Sequence, residues 1–212
     1  MQNSTTFYIV RHGETVWNRE HRMQGQEDSP LTREGEQAIS ELGGVLKDIH
    51  FDYVFSSDLL RAKRTAELLT IERKLAVNTT HLLRERSFGK YEGRLSKEYL
   101  EENKKLLEEQ ERLSYEERVK FKLADDIESD DEVIQRVLLF IREAAVTYVG
   151  KTLLLVAHGG TIRVLLAHLG YGIGPGKGKV KNGGYVRFVS DGVEFEVEQI
   201  ENIELITPFR NT

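Results

Sequence analysis

The sequence predicts an α/β fold, a three-layer α/β/α sandwich around a mostly parallel central sheet. Two apolar runs, Phe7–Val10 and Thr152–Ala157, are short, unbroken and rich in branched side chains. Such runs are typical of strands that are buried on both faces of a parallel sheet. Segments with helical spacing of apolar residues alternate with strand-like segments along most of the chain, as in layered α/β proteins. A helical insertion, residues 94–127, is expected to cover the edge of the sheet where these strands end.

After the opening strand, the first half of the chain alternates between helix and strand. Thr32 can N-cap a helix, because apolar residues recur at helical spacing over residues 38–49. The segment Phe51–Ser56 is the next predicted strand. Ser57 or Asp58 is expected to cap the helix that follows it.

The second half continues this alternation. The predicted elements are an edge strand within residues 74–80, a helical stretch over 96–123, a helix from Asp130, the strand Thr152–Ala157, a helix Thr161–Leu169, a basic glycine-rich loop over 170–184, and two strands, Tyr185–Val189 and Val193–Ile200. The insertion can be a solvated helical face or a cap that selects substrates. The loop over 170–184 can be a flexible connector, or it can contact an acidic substrate through Lys177, Lys179 or Lys181.

Size and composition limit the classes of protein that the chain can represent. Its 212 residues, of which 39% are hydrophobic, fit a single domain over residues 1–212. The chain has no cysteine, which excludes a disulfide scaffold and a cysteine nucleophile. No apolar run approaches the roughly 20 residues of a membrane helix, and the first residues lack a signal-peptide pattern. We therefore expect a cytoplasmic protein without a membrane partner, and the net charge of −5 argues against nucleic acid as a partner.

Two histidines, His12 and His158, each follow one of the apolar runs and are each followed by glycine. In open α/β sheets, ligands bind just beyond the carboxyl ends of the strands. Arg11 precedes the first histidine, and Arg61 lies in the first turn of a predicted helix at the same edge. Glu85 lies in a segment flanked by arginines, where an ordinary surface ion pair is the alternative interpretation.

Two arginines, two histidines and one glutamate together indicate phosphoryl transfer. Arginine supplies planar, permanently charged forks that match phosphate oxygens. A neutral imidazole can attack phosphorus, and a carboxyl group can protonate the leaving oxygen. A metal site is not expected, because the two arginines would repel a divalent cation and the sequence has no His-Glu-x-x-His segment.

Further residues extend this pattern along the whole chain. They are Arg11-His12-Gly13-Glu14-Thr15 with Asn18, Gly25, Asp28-Ser29-Pro30-Leu31-Thr32, Ser57-x-x-x-Arg61-Ala62-x-x-Thr65-Ala66, Leu83-x-Glu85-x-x-x-Gly89-x-x-Glu92-Gly93, Glu128-Ser129 and Val156-x-His158-Gly159. In this order they resemble the histidine phosphatase superfamily, also called phosphoglycerate-mutase-like. Two departures are Ile127, where the family commonly has glycine, and the segment 172–179.

The resemblance implies a role for each residue of the predicted site. His12 would become transiently phosphorylated, and Glu85 would donate a proton and later activate water. Phosphate would be held by Arg11, Arg61 and His158, with a hydrogen bond from Asn18. Family members need no metal for this chemistry, and no cofactor is expected for this chain.

Gln24 and the Glu92-Gly93 pair favour the broad-specificity phosphatase branch, because mutases of the family usually have threonine at the first position. Gln24, Gly25 and Gly159 are therefore expected in the substrate site beside Asn18. The predicted function is hydrolysis of a small phosphorylated metabolite, a phosphomonoester, through phosphohistidine. The alternatives are a phosphoglycerate mutase primed by a bisphosphate and a catalytically silent phosphate-binding module. Whether the chain forms a homodimer is left open by the sequence.

Overall fold

A mixed sheet forms the centre of the computed structural model, which describes residues 4–171 and 178–205. The strands of the described residues are β1 (Thr5–Arg11), β2 (Tyr53–Ser57), β3 (Val77–Thr80), β4 (Thr152–Ala157), β5 (Lys179–Ser190) and β6 (Phe195–Glu204). Their order across the sheet is β3-β2-β4-β1-β5-β6. The first four positions in this order pair in parallel, whereas β5 is antiparallel to both β1 and β6.

Helices cover both faces of this sheet. They are α1 (Val16–Arg19), α2 (Arg33–Val45), α3 (Leu60–Thr70), α4 (Ser96–Glu102), α5 (Lys104–Arg112), α6 (Tyr115–Lys120), α7 (Asp130–Thr147) and α8 (Gly159–His168). Phe7 and Ile9 of β1 pack with α7 and α8, whereas Tyr8 and Val10 pack with α2 and α3. Successive side chains of a strand point to opposite faces, so the unbroken apolar run serves two cores. The predicted three-layer α/β/α fold is confirmed.

The parallel register of β1 and β4 brings the two histidines together. Arg11 is paired with Ala157, so the next residues, His12 and His158, leave the sheet side by side. The neighbouring strand β2 is parallel to β4 and ends at the same edge, just before α3. The first turn of α3, with Arg61, therefore begins beside the histidines.

The cap of α3 differs from the prediction. Its N-cap residue is Leu59, which makes no side-chain capping bond, and neither Ser57 nor Asp58 fills that position. The carboxylate of Asp28, from a distant loop, instead accepts a hydrogen bond from the Leu60 N–H at 2.7 Å. Asp58 is engaged by Arg84, with Oδ2 2.7 Å from Nη2. A cap supplied from 32 positions away cannot be recognised from local sequence.

The predicted basic loop over 170–184 is partly wrong, because β5 already begins at Lys179. The glycines there mark an irregular strand: the register shifts between Val180 and Tyr185, and Gly183 has a φ of +72°. Glycines within a strand often accompany a bulge. Lys181 lies on this strand and pairs with Glu204 at 3.1 Å. The remaining predicted contact, Lys177, lies outside the described residues.

The insertion contains three short helices, α4, α5 and α6, instead of one continuous helical stretch. Ser114 starts α6 with a reciprocal capping box to Glu117, which explains why the helical segment is interrupted there. Tyr91, Tyr99 and Ile127 form a small separate core beneath these helices. Among the described helices, none combines the length and apolar character that a membrane crossing requires.

Candidate active site

His12 is buried at the end of β1, with 2% of its surface exposed. Its Nδ1 lies 2.7 Å from the carbonyl oxygen of Gly13. A carbonyl oxygen only accepts hydrogen bonds, so Nδ1 carries the proton and Nε2 keeps its lone pair. The local backbone thus selects the tautomer in which Nε2 can form a bond.

His158 faces His12 from the end of β4 and is the N-cap residue of α8. The two ring centroids are 5.2 Å apart, and the ring planes are inclined by 60°. Burial lowers the pKa of both imidazoles well below 6.5, and the positive charge of Arg61 lowers it further. Both rings are therefore uncharged at neutral pH.

Arg61 is almost completely buried and is held by a loop of the N-terminal half. Its Nη2 donates to the Gly25 carbonyl at 2.6 Å, and its Nη1 donates to the Glu27 carbonyl at 2.6 Å and to Asp28 Oδ1 at 2.8 Å. Arg11 is fixed from the other side, since its Nη1 donates to the Val180 carbonyl at 2.6 Å. Burial lowers the pKa of Arg11 to about 10, so it stays a cation at neutral pH.

Several buried nitrogen atoms at this edge have no hydrogen-bond partner among the described residues. They are Nε of Arg11, Nε of Arg61 and the two ring nitrogens of His158. Buried polar atoms are normally satisfied, so a cluster of unpaired ones requires an explanation. Two cations and a neutral imidazole that point unpaired donors to one edge form a suitable cradle for an anion such as phosphate.

Glu85 lies at the N-terminus of α8, close to this cradle. Its carboxylate accepts hydrogen bonds from the N–H groups of Gly160 at 2.9 Å, Thr161 at 3.1 Å and Arg86 at 2.9 Å. Glycine at position 160 leaves room for the Glu85 carboxylate, which would have to move if a Cβ were present there. The charge of Glu85 acts on both Arg11 and Arg61. The structure therefore brings together all five predicted catalytic residues.

Arg136 of α7 supports Glu85, and sequence reasoning missed it. Its guanidinium donates to the carbonyl groups of Leu82 at 3.0 Å, Arg84 at 2.6 Å and Glu85 at 3.1 Å. It also forms a two-point ion pair with Glu128, at 3.0 and 3.1 Å. These contacts fix the backbone that carries Glu85. The only sequence signal was an arginine two turns after the Glu128-Ser129 pair, on a helix that looks merely amphipathic.

The four predicted substrate-site residues contribute in two ways: Asn18 and Gln24 form side-chain hydrogen bonds, whereas the two glycines leave space for neighbouring side chains. Asn18 Oδ1 accepts from the backbone N–H of Thr15, in a capping box that starts α1, and from Asn182 Nδ2 at 3.2 Å. Gln24 is buried, and its Oε1 accepts from the Thr15 hydroxyl at 3.0 Å. In this arrangement Gln24 braces the loop after β1.

Gly25 and Gly159 contribute through the space that they leave. Gly25 has a φ of +54°, and its carbonyl accepts from Arg61. A Cβ on Gly159 would lie 3.1 Å from Nε of Arg11, so this glycine lets the guanidinium approach the helix end. Asn182, which sequence reasoning also missed, donates to the His12 carbonyl at 3.0 Å. Among the described residues, no group of three or more histidines and carboxylates is arranged to hold a metal ion.

Comparison with known proteins identifies the family of this chain. A family model described as the histidine phosphatase superfamily (branch 1) matches residues 7–203. The chain belongs to this superfamily. The resemblance found in the sequence motifs is thereby confirmed.

Similar members of the histidine phosphatase superfamily have names that indicate two reaction types. The chain is 33% identical over 168 residues to the uncharacterized phosphatase PhoE of Bacillus subtilis, covering 79% of each chain. It is 34% identical over 160 residues to the probable phosphoglycerate mutase GpmB of Salmonella arizonae, covering 76% of this chain and 72% of that one. A crystal structure of phosphoglycerate mutase from Bacillus anthracis superposes with a TM-score of 0.80 at 30% identity, covering 93% of each chain. A mycobacterial glucosyl-3-phosphoglycerate phosphatase gives a TM-score of 0.79 at 25% identity, covering 93% of this chain and 98% of that one.

Proposed function

We propose that this protein is a metal-independent phosphatase that hydrolyses a small-molecule phosphomonoester through a phosphohistidine on His12. The observation that carries the proposal is the state of His12, which is buried, uncharged and held by the Gly13 carbonyl with Nε2 free to react. Around it lie the unpaired donors of Arg11, Arg61 and His158. A phosphoryl group bound by these donors would meet a nucleophile of the correct tautomer.

In the first step, Nε2 of His12 attacks phosphorus, an N–P bond forms, and the bond from phosphorus to the ester oxygen breaks. The two arginines and His158 stabilise the charge on the three equatorial oxygens, which is the principal requirement of phosphoryl transfer. The phosphate dianion of the bound substrate favours the protonated form of the Glu85 carboxyl group, which then gives its proton to the leaving oxygen. The alcohol then departs, and Glu85 is left as a carboxylate.

In the second step, water attacks the phosphohistidine. Glu85 takes a proton from this water, an O–P bond forms, and the N–P electron pair returns to Nε2 of His12. Phosphate is released, and both Glu85 and His12 recover their starting protonation states. The location of Glu85 at the N-terminus of α8 supports this double role, because Gly160 and Thr161 hold its carboxylate beside the cradle.

A phosphoglycerate mutase primed by a bisphosphate is the second candidate, and the names of two similar proteins favour it. It would use the same phosphohistidine but return the phosphoryl group to a second hydroxyl of the substrate. Gln24 and the absence of paired arginines with following prolines after Ser96 support the phosphatase. A catalytically silent phosphate-binding module is a weaker candidate, because binding alone has no need of both His12 and Glu85.

A panel of phosphate esters separates these candidates. We expect free phosphate from sugar phosphates or aryl phosphates, at equal rates with and without a chelator. Conversion of 3-phosphoglycerate to its isomer without net phosphate release would identify a mutase instead. Absence of turnover, together with absence of acid-labile phosphate on His12 after rapid quenching, would identify a silent module.

A further inference from the structure

A cavity of about 240 Å³ lies between the insertion and the helices α7 and α8. Leu107 and Tyr115 line it from the insertion, and Ile134 and Val164 line it from α7 and α8. None of the five predicted catalytic residues belongs to its described lining. Arg86, the neighbour of Glu85, reaches it from the catalytic side. The cavity is therefore adjacent to the catalytic edge and separate from the phosphate cradle.

The walls of this cavity are mainly apolar and aromatic. Phe88, Tyr99 and Tyr115 contribute rings, and aliphatic side chains of the insertion and of α8 fill the space between them. An apolar cavity of about 150 Å³ holds benzene in another protein. The cavity in this protein has room for a larger group, such as a substituted phenyl ring.

The charged residues that line the cavity are predominantly cationic. They are Arg86, Arg118 and Arg163, with Asp130 as the carboxylate. Arg86 forms an ion pair with Asp130, but its buried Nε has no hydrogen-bond partner among the described residues. No described carboxylate forms an ion pair with Arg118 or Arg163 within 4.0 Å. Burial and the charge of Arg163 lower the pKa of Arg86 to about 10. One more negative charge in the cavity would be stabilised by this surplus of cations.

We propose that this cavity binds an organic anion, an aromatic or aliphatic group that bears a carboxylate. The apolar part lies among Tyr99, Leu107 and Tyr115, and the carboxylate lies between Arg86 and Arg163. Arginine is suited to this role because its planar fork matches a carboxylate. The anion can be the far end of the substrate, an identity that rests on the proposed function, or a separate ligand that does not react.

Calorimetric titration with 3-phenylpropanoate tests the site, with orthovanadate present to fill the phosphate cradle. We expect binding that is about tenfold weaker for 3-phenylpropan-1-ol, which lacks the charge, and for the variant Arg163→Met. Arg112→Met is the matched control, because Arg112 is exposed on α5 and does not line the cavity. Ala167→Phe fills the cavity from α8 and is expected to abolish binding. Melting temperatures identify any variant that fails to fold. If either Arg163→Met or Ala167→Phe fails to fold, the other one tests the proposal.

The kinetic arm decides between the two sources of the anion. If the carboxylate belongs to the substrate, 3-(4-phosphonooxyphenyl)propanoate has a kcat/KM about tenfold above that of phenyl phosphate, and Arg163→Met removes the advantage. Binding of 3-phenylpropanoate without this advantage identifies a separate ligand. No binding, or equal binding to the Arg163→Met variant, would overturn the proposal. Failure to hydrolyse either ester would contradict the proposed function alone, because the titration does not depend on turnover.

Discussion

His12 and His158 each follow a buried strand and precede a glycine, but the structure holds the two imidazole rings differently. His12 and His158 follow paired residues of neighbouring strands, and both rings are buried and uncharged. The carbonyl of Gly13 fixes the ring of His12, whereas the ring of His158 has no hydrogen-bond partner among the described residues and lies at the N-terminus of α8. A ring with a fixed lone pair suits bond formation, and a ring with free nitrogens suits binding. We infer that the hydrogen bond of the ring, more than the motif around it, distinguishes the proposed nucleophile from the proposed phosphate ligand.

The largest expected effect separates these two roles. We expect His12→Ala to reduce phosphate release by roughly 10⁴-fold or more and to abolish the phosphoenzyme, because the nucleophile is lost. His158→Ala is expected to cost about 10²- to 10³-fold and to leave a trappable phosphoenzyme, because one donor of the cradle is lost. Rapid-quench phosphate trapping measures both, and circular dichroism checks folding. Equal losses of the phosphoenzyme in the two variants would contradict the division of roles.

The role of Glu85 can be tested on a series of leaving groups. Glu85→Gln cannot supply a proton, so we expect alkyl phosphates to react about 10²- to 10⁴-fold more slowly. The 4-nitrophenyl ester is expected to lose less, because its leaving oxygen is stable without a proton. Glu41→Gln, at an exposed position of α2, is the control. If all esters slow equally, Glu85 is not the acid.

Arg136 is expected to act through Glu85 as a positioning residue. Arg136→Lys keeps the charge but cannot reach three carbonyl groups and Glu128 at once. We expect kcat for alkyl phosphates to fall about tenfold, with KM little changed, because misplaced catalytic groups reduce the rate. A smaller effect on 4-nitrophenyl phosphate would mark a specific effect on Glu85, whereas a merely unstable variant would slow both. Arg142→Lys, exposed on the same helix, is the control.

The smallest effect concerns stability against pH. Folding lowers the pKa of His12 and His158 below 6.5, so the unfolded chain binds more protons than the folded one at acidic pH. The free energy of unfolding should therefore be independent of these histidines above pH 6.5. As the pH is lowered from 6.5, it should decrease by at most about 1.4 kcal/mol per pH unit for each histidine. Urea titrations at pH 7.5 and 5.5 measure this slope. His12→Gln and His158→Gln should each flatten it, and an unchanged slope in both would be inconsistent with burial as its source.

Local sequence was sufficient to predict the parts of the site that depend on neighbouring residues. Apolar periodicity and turn chemistry predict the strands that precede His12 and His158, the cap at Thr32 and the position of Arg61. The positioning role of Arg136 and the capping role of Asp28, which act across long separations, were not predicted. Arg136 reaches carbonyl groups more than 50 positions away, and Asp28 serves a helix that begins 32 positions later.

The error over 170–184 has a different physical cause. A strand that contains glycines and a register shift has the composition of a loop, so β5 was predicted to begin at Tyr185. Similarly, the insertion was predicted as a helical stretch, and the break before Ser114 was not foreseen because the flanking residues all favour helix. In β5, pairing with β1 and β6 decides where the regular structure starts, whereas in the insertion the local capping box of Ser114 and Glu117 decides it.

The antiparallel strand β5 holds two of the predicted catalytic residues, Arg11 and His12, in place. β5 supplies the carbonyl of Val180 that holds Arg11, and it supplies the side chain of Asn182 that bonds the carbonyl of His12. His12, the proposed nucleophile, thus follows a strand that lies between β4 and β5, and β5 comes after all five predicted catalytic residues in the sequence. A nascent chain in which β5 has not yet been synthesised would contain every predicted catalytic residue. It would still lack the contacts from Val180 and Asn182 that orient Arg11 and His12. Catalytic competence should therefore appear only when synthesis of β5 is complete.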